Sequence, residues 1–539
     1  MVNYESFNLT EDHCYNIRRA LLYCKEHQED GLIFPKGEEY HLYPEKASRR
    51  AVSVSNHDIC GYNSIAFLLE NMRDFTLDGG GSVFVSHGVM ISAALLSCSN
   101  VRLRNLSFTA EEPMRMEAEV VGYSGKDWIL RVTNDAGYYI RDGMLRFTDA
   151  YGHDDPYHYT MIVRRGEGTD YIPETKESFD KNVRFYQMEG KKIRVQNSQL
   201  SPEAGMRLIL APQIRHGCTV FLENCRDTLI ERLTVCHSYG MGVIAQLCDT
   251  ITIRGMKVGT GGAMFSTNCD ATHFVSCTGK IEISGSSFEG MLDDAMNVHG
   301  IFSRIEQADE RGILVHDMHP GSKGLSLYEP GDRIAVMNPG RLIPESFYTV
   351  EKAEQINMEY FYLTLRERAE HIPVLYTVEN ISRQPEVFFC NNTVRANRAR
   401  GILLASKGRT EVRNNVFHTP GCAVLFESDG EMWYESGGTQ DVLIEDNLFD
   451  HCGYAREAWG EAVIEVKPRR EADGIHYYHK KIRISSNRFT GKERMILSAA
   501  DTEEIEFSGN EVPENDKANR YRNCGHILDD LSGGRLCVQ

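Results

Sequence analysis

A phrase of strand-forming residues recurs along the chain, and its spacing restricts the fold more than any other feature. It reads "VRLRNLSF" ending at Phe108, "LIERLTV" at Val235, "ITIRGMKV" at Val258 and "IEISGSSF" at Phe288. It returns as "FFCNNTV" at Val394, "TEVRNNVF" at Phe417, "VLIEDNLF" at Phe449, "IRISSNRF" at Phe489 and "IEFSGNEV" at Val512. Val235 and Val258, Val394 and Phe417, and Phe489 and Val512 each lie 23 residues apart, and the wider gaps mark inserted loops. A period in the low twenties, carried by Val, Ile, Leu and Phe, belongs to a solenoid. The fixed Leu lattice of leucine-rich repeats is missing. The expectation is an all-β chain: a right-handed parallel β-helix with three short strands per rung, each rung advancing one strand spacing.

Asparagine stands two residues before the terminal apolar residue at Asn392, Asn415, Asn447, Asn487 and Asn510. Asn tolerates left-handed backbone and its amides stack between strands, so these residues read as an internal turn ladder rather than as catalytic groups. Leu9 to His27 has apolar residues at helical spacing behind Thr10, which is expected to be the N-cap of a helix closing the open end of the solenoid. Two stretches of alternating, charged strands interrupt the ladder and read as two inserted small antiparallel β-barrel modules. The expected divisions are 1–109 for the cap and first rungs, 110–207 for one barrel, 208–301 for central rungs, 302–385 for the second barrel, and 386–539 for the last rungs and tail.

The net charge of −18 argues against nucleic acid as a partner, because phosphate binding needs a cationic surface. No window approaches the roughly 18 continuous apolar residues of a membrane-spanning helix, so no membrane is expected as a partner either. The 15 cysteines are scattered singly with no CxxC pair, which disfavours a zinc site and favours a reducing compartment. Residues 1–31 carry no apolar run behind a basic start. The chain as written is expected in the cytoplasm, with a secreted or periplasmic place the alternative if a leader is removed.

The stretch "GMLDDAMNVHG", Gly290 to Gly300, sets two aspartates side by side among small and apolar residues. Taken alone, such a pair is more often a solvated turn or a cation site. Asp270, in "TNCDATHF", stands 23 residues before Asp293, one repeat away. That spacing predicts carboxylates on neighbouring strands, about 4.8 Å apart at the backbone. Strict alternation would bury either Asp293 or Asp294, so a turn or bulge is expected to aim both outward. A cluster of this kind suits glycosidic hydrolysis: one carboxyl of raised pKa donates a proton while another activates water. Asn297 and His299 are candidates to bind sugar hydroxyls, with His273 beside them. The loop "FESDGEMWYESGG" offers Trp433 and Tyr434 as stacking platforms and Glu427 and Glu435 as acceptors.

"NCDATHF", "FEGMLDDAMNVHG" and the "WYESG" loop resemble glycoside hydrolase family 110, inverting α-1,3-galactosidases that remove terminal galactose from blood-group-B-type and linear α-galactosyl glycans. The resemblance spans most of the chain. It implies Asp270 as general acid, Asp293 and Asp294 as the general base that handles water, no metal or organic cofactor, and a homodimer. A polygalacturonase is the nearest rival, but its Arg-x-Lys motif is absent and a polyanionic substrate suits an acidic chain badly. A lyase wants a basic residue, and between Val235 and Gly300 only Arg254, Lys257 and Lys280 are basic apart from histidine. A non-catalytic carbohydrate-binding β-helix would keep the aromatic groove without needing three carboxylates.

Overall fold

The computed structural model describes residues 1–58, 61–111, 114–125, 127–163, 182–197, 203–212, 214–369, 371–455, 459–491, 494–514, 518–531 and 536–537. Its rungs are built as the repeat demands. Strands Val220–Glu223, Arg226–Glu231 and Thr234–Val235 make one turn, and Val243–Gln246, Asp249–Arg254 and Lys257–Val258 the next. Each lies parallel on its counterpart, with Val220 over Val243, Ile230 over Ile253 and Val235 over Val258. The winding is a right-handed parallel β-helix, the hand that parallel crossovers take.

The terminal residues of the repeated phrase form one buried column along the axis. Phe108 pairs with Val235, Val258 with Phe288, Phe288 with Val394, and Val394 with Phe417. Phe417, Phe449 and Phe489 then stack with ring centroids 5.4 and 4.8 Å apart and planes within 13° of parallel. Offset stacking of this kind adds to the burial of each ring.

The asparagine ladder runs beside this column. The backbone N–H groups of Asn392, Asn415, Asn447 and Asn487 each donate to the side-chain oxygen of the next asparagine at 2.9–3.0 Å. Ser286 N–H donates to Asn392 Oδ1, carrying the pattern one rung back. The left-handed residue is the one before each ladder position: Asn391, Asn414, Asp446, Ser486 and Gly509 have positive φ, and the ladder asparagines do not. The turn is made at the residue whose side chain points out, which frees the next amide to point in.

The capping helix spans His13–Glu26. Its N-cap is Asp12, not Thr10: the Asp12 carboxylate accepts from Tyr15 N–H, while Thr10 binds Asn16 Oδ1 through its N–H and hydroxyl. A side chain two residues further upstream cannot reach the first-turn donors.

Both interruptions of the ladder are antiparallel sheets. Among the described residues between Met116 and Pro212, eight strands wrap around Trp128, Leu130, Phe147 and Phe185. Part of this module, residues 164–181 and 198–202, lies outside the described residues. The second module closes into a ring of six strands, running from Met296–Ala308 through Gly312–Asp317, Tyr360–Leu365, Pro344–Gln355, Arg333–Met337 and Thr377–Asn380 back to the first. No linker separates it from the solenoid, because the strand Met296–Ala308 lies in a rung at its start and in the ring at its end. Among the described residues no helix is long and apolar enough to cross a membrane, and the cysteines are free thiols.

Candidate active site

One sheet of the solenoid stacks Val243–Gln246, Thr272–Val275, Met296–His299 and Ile402–Leu404. Alternation turns Phe274 and Val298 into the core, and His273 and Asn297 outward. The acidic residues sit in the bends just before these strands, where strand alternation does not bind them. Gly290 makes the entry possible: its φ is +77°, and a Cβ there would meet Thr260 Cγ2 at 2.4 Å.

The register is 24 residues, not 23. Thr272 pairs with Met296, and Ala271 N–H donates to Asp294 O, so Asp270 lies over Asp294 with Asp293 one step before. The inserted residue is absorbed in the bend, and the Asp294 backbone N–H donates to Asp270 Oδ1 at 3.2 Å. Even so, oxygens of all three carboxylates come within 4.8 Å of one another. Asp294 is 1 % exposed and Asp270 is 4 % exposed. Asp293 is the more open of the pair.

Two arginines outside the candidates named from sequence, Arg400 and Arg215, hold this cluster. Arg400 donates its backbone N–H and its Nε–H to Asp294 Oδ1 at 3.0 and 3.1 Å, and its Nη2 lies 2.9 Å from Oδ2. Arg400 and Arg215 also stand 3.7 and 3.6 Å from the two oxygens of Asp293. Burial drives the Asp270 carboxyl well above the ordinary carboxylate range, and the charges of Asp293 and Asp294 push it further. Burial likewise raises Asp294, to about 6, with Arg400 pulling the other way. Three acidic groups at this spacing are a geometry a divalent cation takes, but here the two guanidiniums supply the opposing charge.

These groups line a cavity of about 310 Å³, at the small end of small-molecule sites. Asp270, Asp293, Asp294, Glu427 and Glu435 face Arg215, Arg398, Arg400 and Arg469 across it. With Asp270 protonated the formal charges cancel, which suits a neutral ligand better than a polyanion. Glu427 is bound to Arg469 at 2.6 Å. Trp433, 42 % exposed, stands at the cavity rim, and Trp459 forms wall beneath the Arg398 guanidinium.

The remaining candidates divide. Asn297 lines the cavity, buried, with Oδ1 lacking a hydrogen-bond partner. Tyr434 does not line it: at φ +54° its ring turns to the second barrel, packing with Phe302, Met337 and Leu342, while its carbonyl accepts from Phe302 N–H. His273, which also lines the cavity, and His299 are buried beside Asp270 with all ring nitrogens engaged. His273 Nδ1 lies 2.7 Å from Asp270 Oδ2, its Nε2 is 2.9 Å from His299 Nε2, and His299 Nδ1 is 2.7 Å from Gly300 O. They have no nitrogen left for a sugar hydroxyl. Burial holds His273 far below the usual imidazole range, so it stays neutral.

Arg400 carried a faint signal. It lies one rung beyond Asp294 in the same column, but the second barrel separates the two by 106 residues. Arg215 and Trp459 sit in connecting segments without any periodic mark.

Residues 312–371 match the family model described as GLAA-B beta-barrel domain II. The chain is 28 % identical over 518 residues to alpha-1,3-galactosidase A of Shewanella woodyi, covering 94 % of this chain and 84 % of that one. It is 30 % identical over 540 residues to alpha-1,3-galactosidase B of Phocaeicola vulgatus, covering 90 % and 84 %. Alpha-1,3-galactosidase B of Parabacteroides distasonis is 28 % identical over 529 residues, covering 91 % and 83 %. A ring-closed second barrel, a solenoid and relatives of nearly full length agree: the chain belongs to the α-1,3-galactosidases of glycoside hydrolase family 110.

Proposed function

We propose that this chain releases terminal α-1,3-linked galactose from glycans by a single-displacement, inverting hydrolysis. The observation that carries the reading is the gathering of Asp270, Asp293 and Asp294 within 4.8 Å in a cavity of about 310 Å³ whose charges otherwise cancel. Asp270, kept protonated by burial and by its acidic neighbours, gives its proton to the departing glycosidic oxygen. Asp293 and Asp294 take the proton of a water that attacks the anomeric carbon from the opposite face, and β-galactose is the first product. Trp433 and Asn297 hold the sugar ring, one by its apolar face and the other by a hydroxyl.

The test is incubation with α-1,3-galactobiose, the fucosylated B trisaccharide and aryl α- and β-galactosides, with proton NMR following the first anomer released. Asp270→Asn is expected to lower kcat on the disaccharide by about 10²–10⁴-fold, the worth of a general acid, with the fold intact. Turnover unchanged in that variant ends the assignment of Asp270. The close oxygen spacing favours a second reading, because carboxyl pairs about 5–5.5 Å apart serve retaining hydrolysis. Initial α-galactose would establish that course and remove the inverting one. A homodimer, implied by family likeness, is tested by light scattering.

A further inference from the structure

Beside the acid, three hydrogen bonds run in line from Asp270 Oδ2 through His273 and His299 to Gly300 O. The far end is a backbone carbonyl, which only accepts, so His299 Nδ1–H must donate to it. A neutral His299 then presents a bare Nε2, which accepts from His273 Nε2–H. His273 Nδ1 is bare in turn and must accept from Asp270. Three bonds need three protons, two neutral imidazoles supply two, and the third belongs to the carboxyl.

We propose that His273 and His299 are positioning residues for the acid: their line is complete only while Asp270 carries its proton, so they keep it loaded. This rests on the hydrolytic reading above. When Asp270 gives its proton to the leaving oxygen, its carboxylate is left facing the bare His273 Nδ1 and the line is one proton short. A solvent proton arriving through the cavity at Asp270 restores the carboxyl, and the third hydrogen bond forms again. The base pair meanwhile releases the proton of the attacking water to solvent, and the cycle closes with no net proton change. Glu435 lines the cavity on the other side of the line, with its Oε1 3.6 Å from His299 Nε2. It is brought there by pairing of Glu435–Ser436 with Gly300–Ile301, a close approach that Gly300 allows, since a Cβ would meet Ser436 Oγ at 2.4 Å.

The surrounding charges favour a neutral pair of imidazoles. Arg215, His57 and His319 face His273, and His319 faces His299; all oppose an added positive charge. Asp293 and Asp294 oppose an added negative charge on Asp270, while Arg215 and the Asp294 N–H favour it there.

Two measurements test the line. Nitrogen NMR of the whole protein, labelled at histidine and assigned with His273→Phe and His299→Phe variants, reads the tautomers. At neutral pH we expect protons on His273 Nε2 and His299 Nδ1; a proton on His273 Nδ1 beside a neutral His299 overturns the inference, whatever the activity. In kinetics, His299→Phe is expected to move the alkaline limb of kcat/KM for α-1,3-galactobiose downward by about one pH unit or more, a tenfold loss on that limb. The same variant should keep its rate on 2,4-dinitrophenyl α-galactoside to within about twofold, because that leaving group needs no acid. An equal loss on both substrates with an unmoved limb leaves only a structural role and sinks the proposal. Wild-type protein that cleaves neither substrate overturns the hydrolytic reading instead, and the tautomers still judge the line.

Discussion

Asp294 shows how one side chain is tuned by its neighbours. Burial raises its pKa to about 6, and without Arg400 it would stand higher. The proposed mechanism needs Asp270 protonated and Asp294 ionised, so kcat/KM should fall below about pH 6 as Asp294 takes up a proton. Arg400→Gln removes the pull toward ionisation, and the acid limb of a pH–rate profile should move to higher pH. An unmoved limb would mean that Asp294 is not the base. The same shift works against stability. As pH rises from about 4, the ordinary carboxylate value, to the folded value, the unfolded chain loses this proton first, so the folded state loses stability through that window. Asp270 and the DD pair are readable as residues, since acids stand out among apolar neighbours. Their partners are not: Arg215 and Arg400 look like any surface arginine until the chain is wound.

Each element draws its precision from backbone groups that have no partner of their own. At the inner turn the N–H of Asn415 and the carbonyl of Val412 both face Asn447, which accepts from the first and donates to the second at 2.9 and 2.8 Å. Asn447→Ala leaves both buried without this partner and should cost about 2–6 kcal/mol, from two unsatisfied groups at about 1–3 kcal/mol each. Chemical denaturation measures it; a loss below about 1 kcal/mol, the net worth of a single ordinary hydrogen bond, would mean that the ladder follows the fold rather than supports it. The ladder is legible because it repeats. The residue that takes the left-handed turn is less so, because Asn391, Asn414, Asp446, Ser486 and Gly509 share a conformation and not a side chain. The capping helix slipped for a related reason: Thr10 and Asp12 are both good caps, and only the chain's entry angle chooses between them.

At the scale of the molecule, the second barrel is part of the site rather than an ornament on the solenoid. Phe302, Met337 and Leu342 pack against Tyr434 and hold the segment that presents Trp433 and Glu435. The barrel strands leave and return side by side, Phe302 pairing with Glu379. Replacing residues 304–377 by a short Gly-rich link should therefore keep the parallel rungs, seen as an unchanged β-type circular dichroism spectrum. It should cost on the order of 10²-fold or more in kcat/KM through lost positioning. Full activity without the barrel would assign the presentation of Trp433 and Glu435 to the solenoid alone.

The repeat by itself determined the solenoid, the column of Phe and Val residues along its axis and the neighbourhood of the acids. Periodic burial is local information, written again in every rung. Tertiary structure alone decided which groups meet. A single residue absorbed in a bend sets Asp270 over Asp294 instead of Asp293, and Arg400 reaches the pair from 106 residues away because the second barrel begins and ends at one point of the wall. Such meetings depend on the register of backbone hydrogen bonds, and no spacing along the chain records a register until the strands have paired.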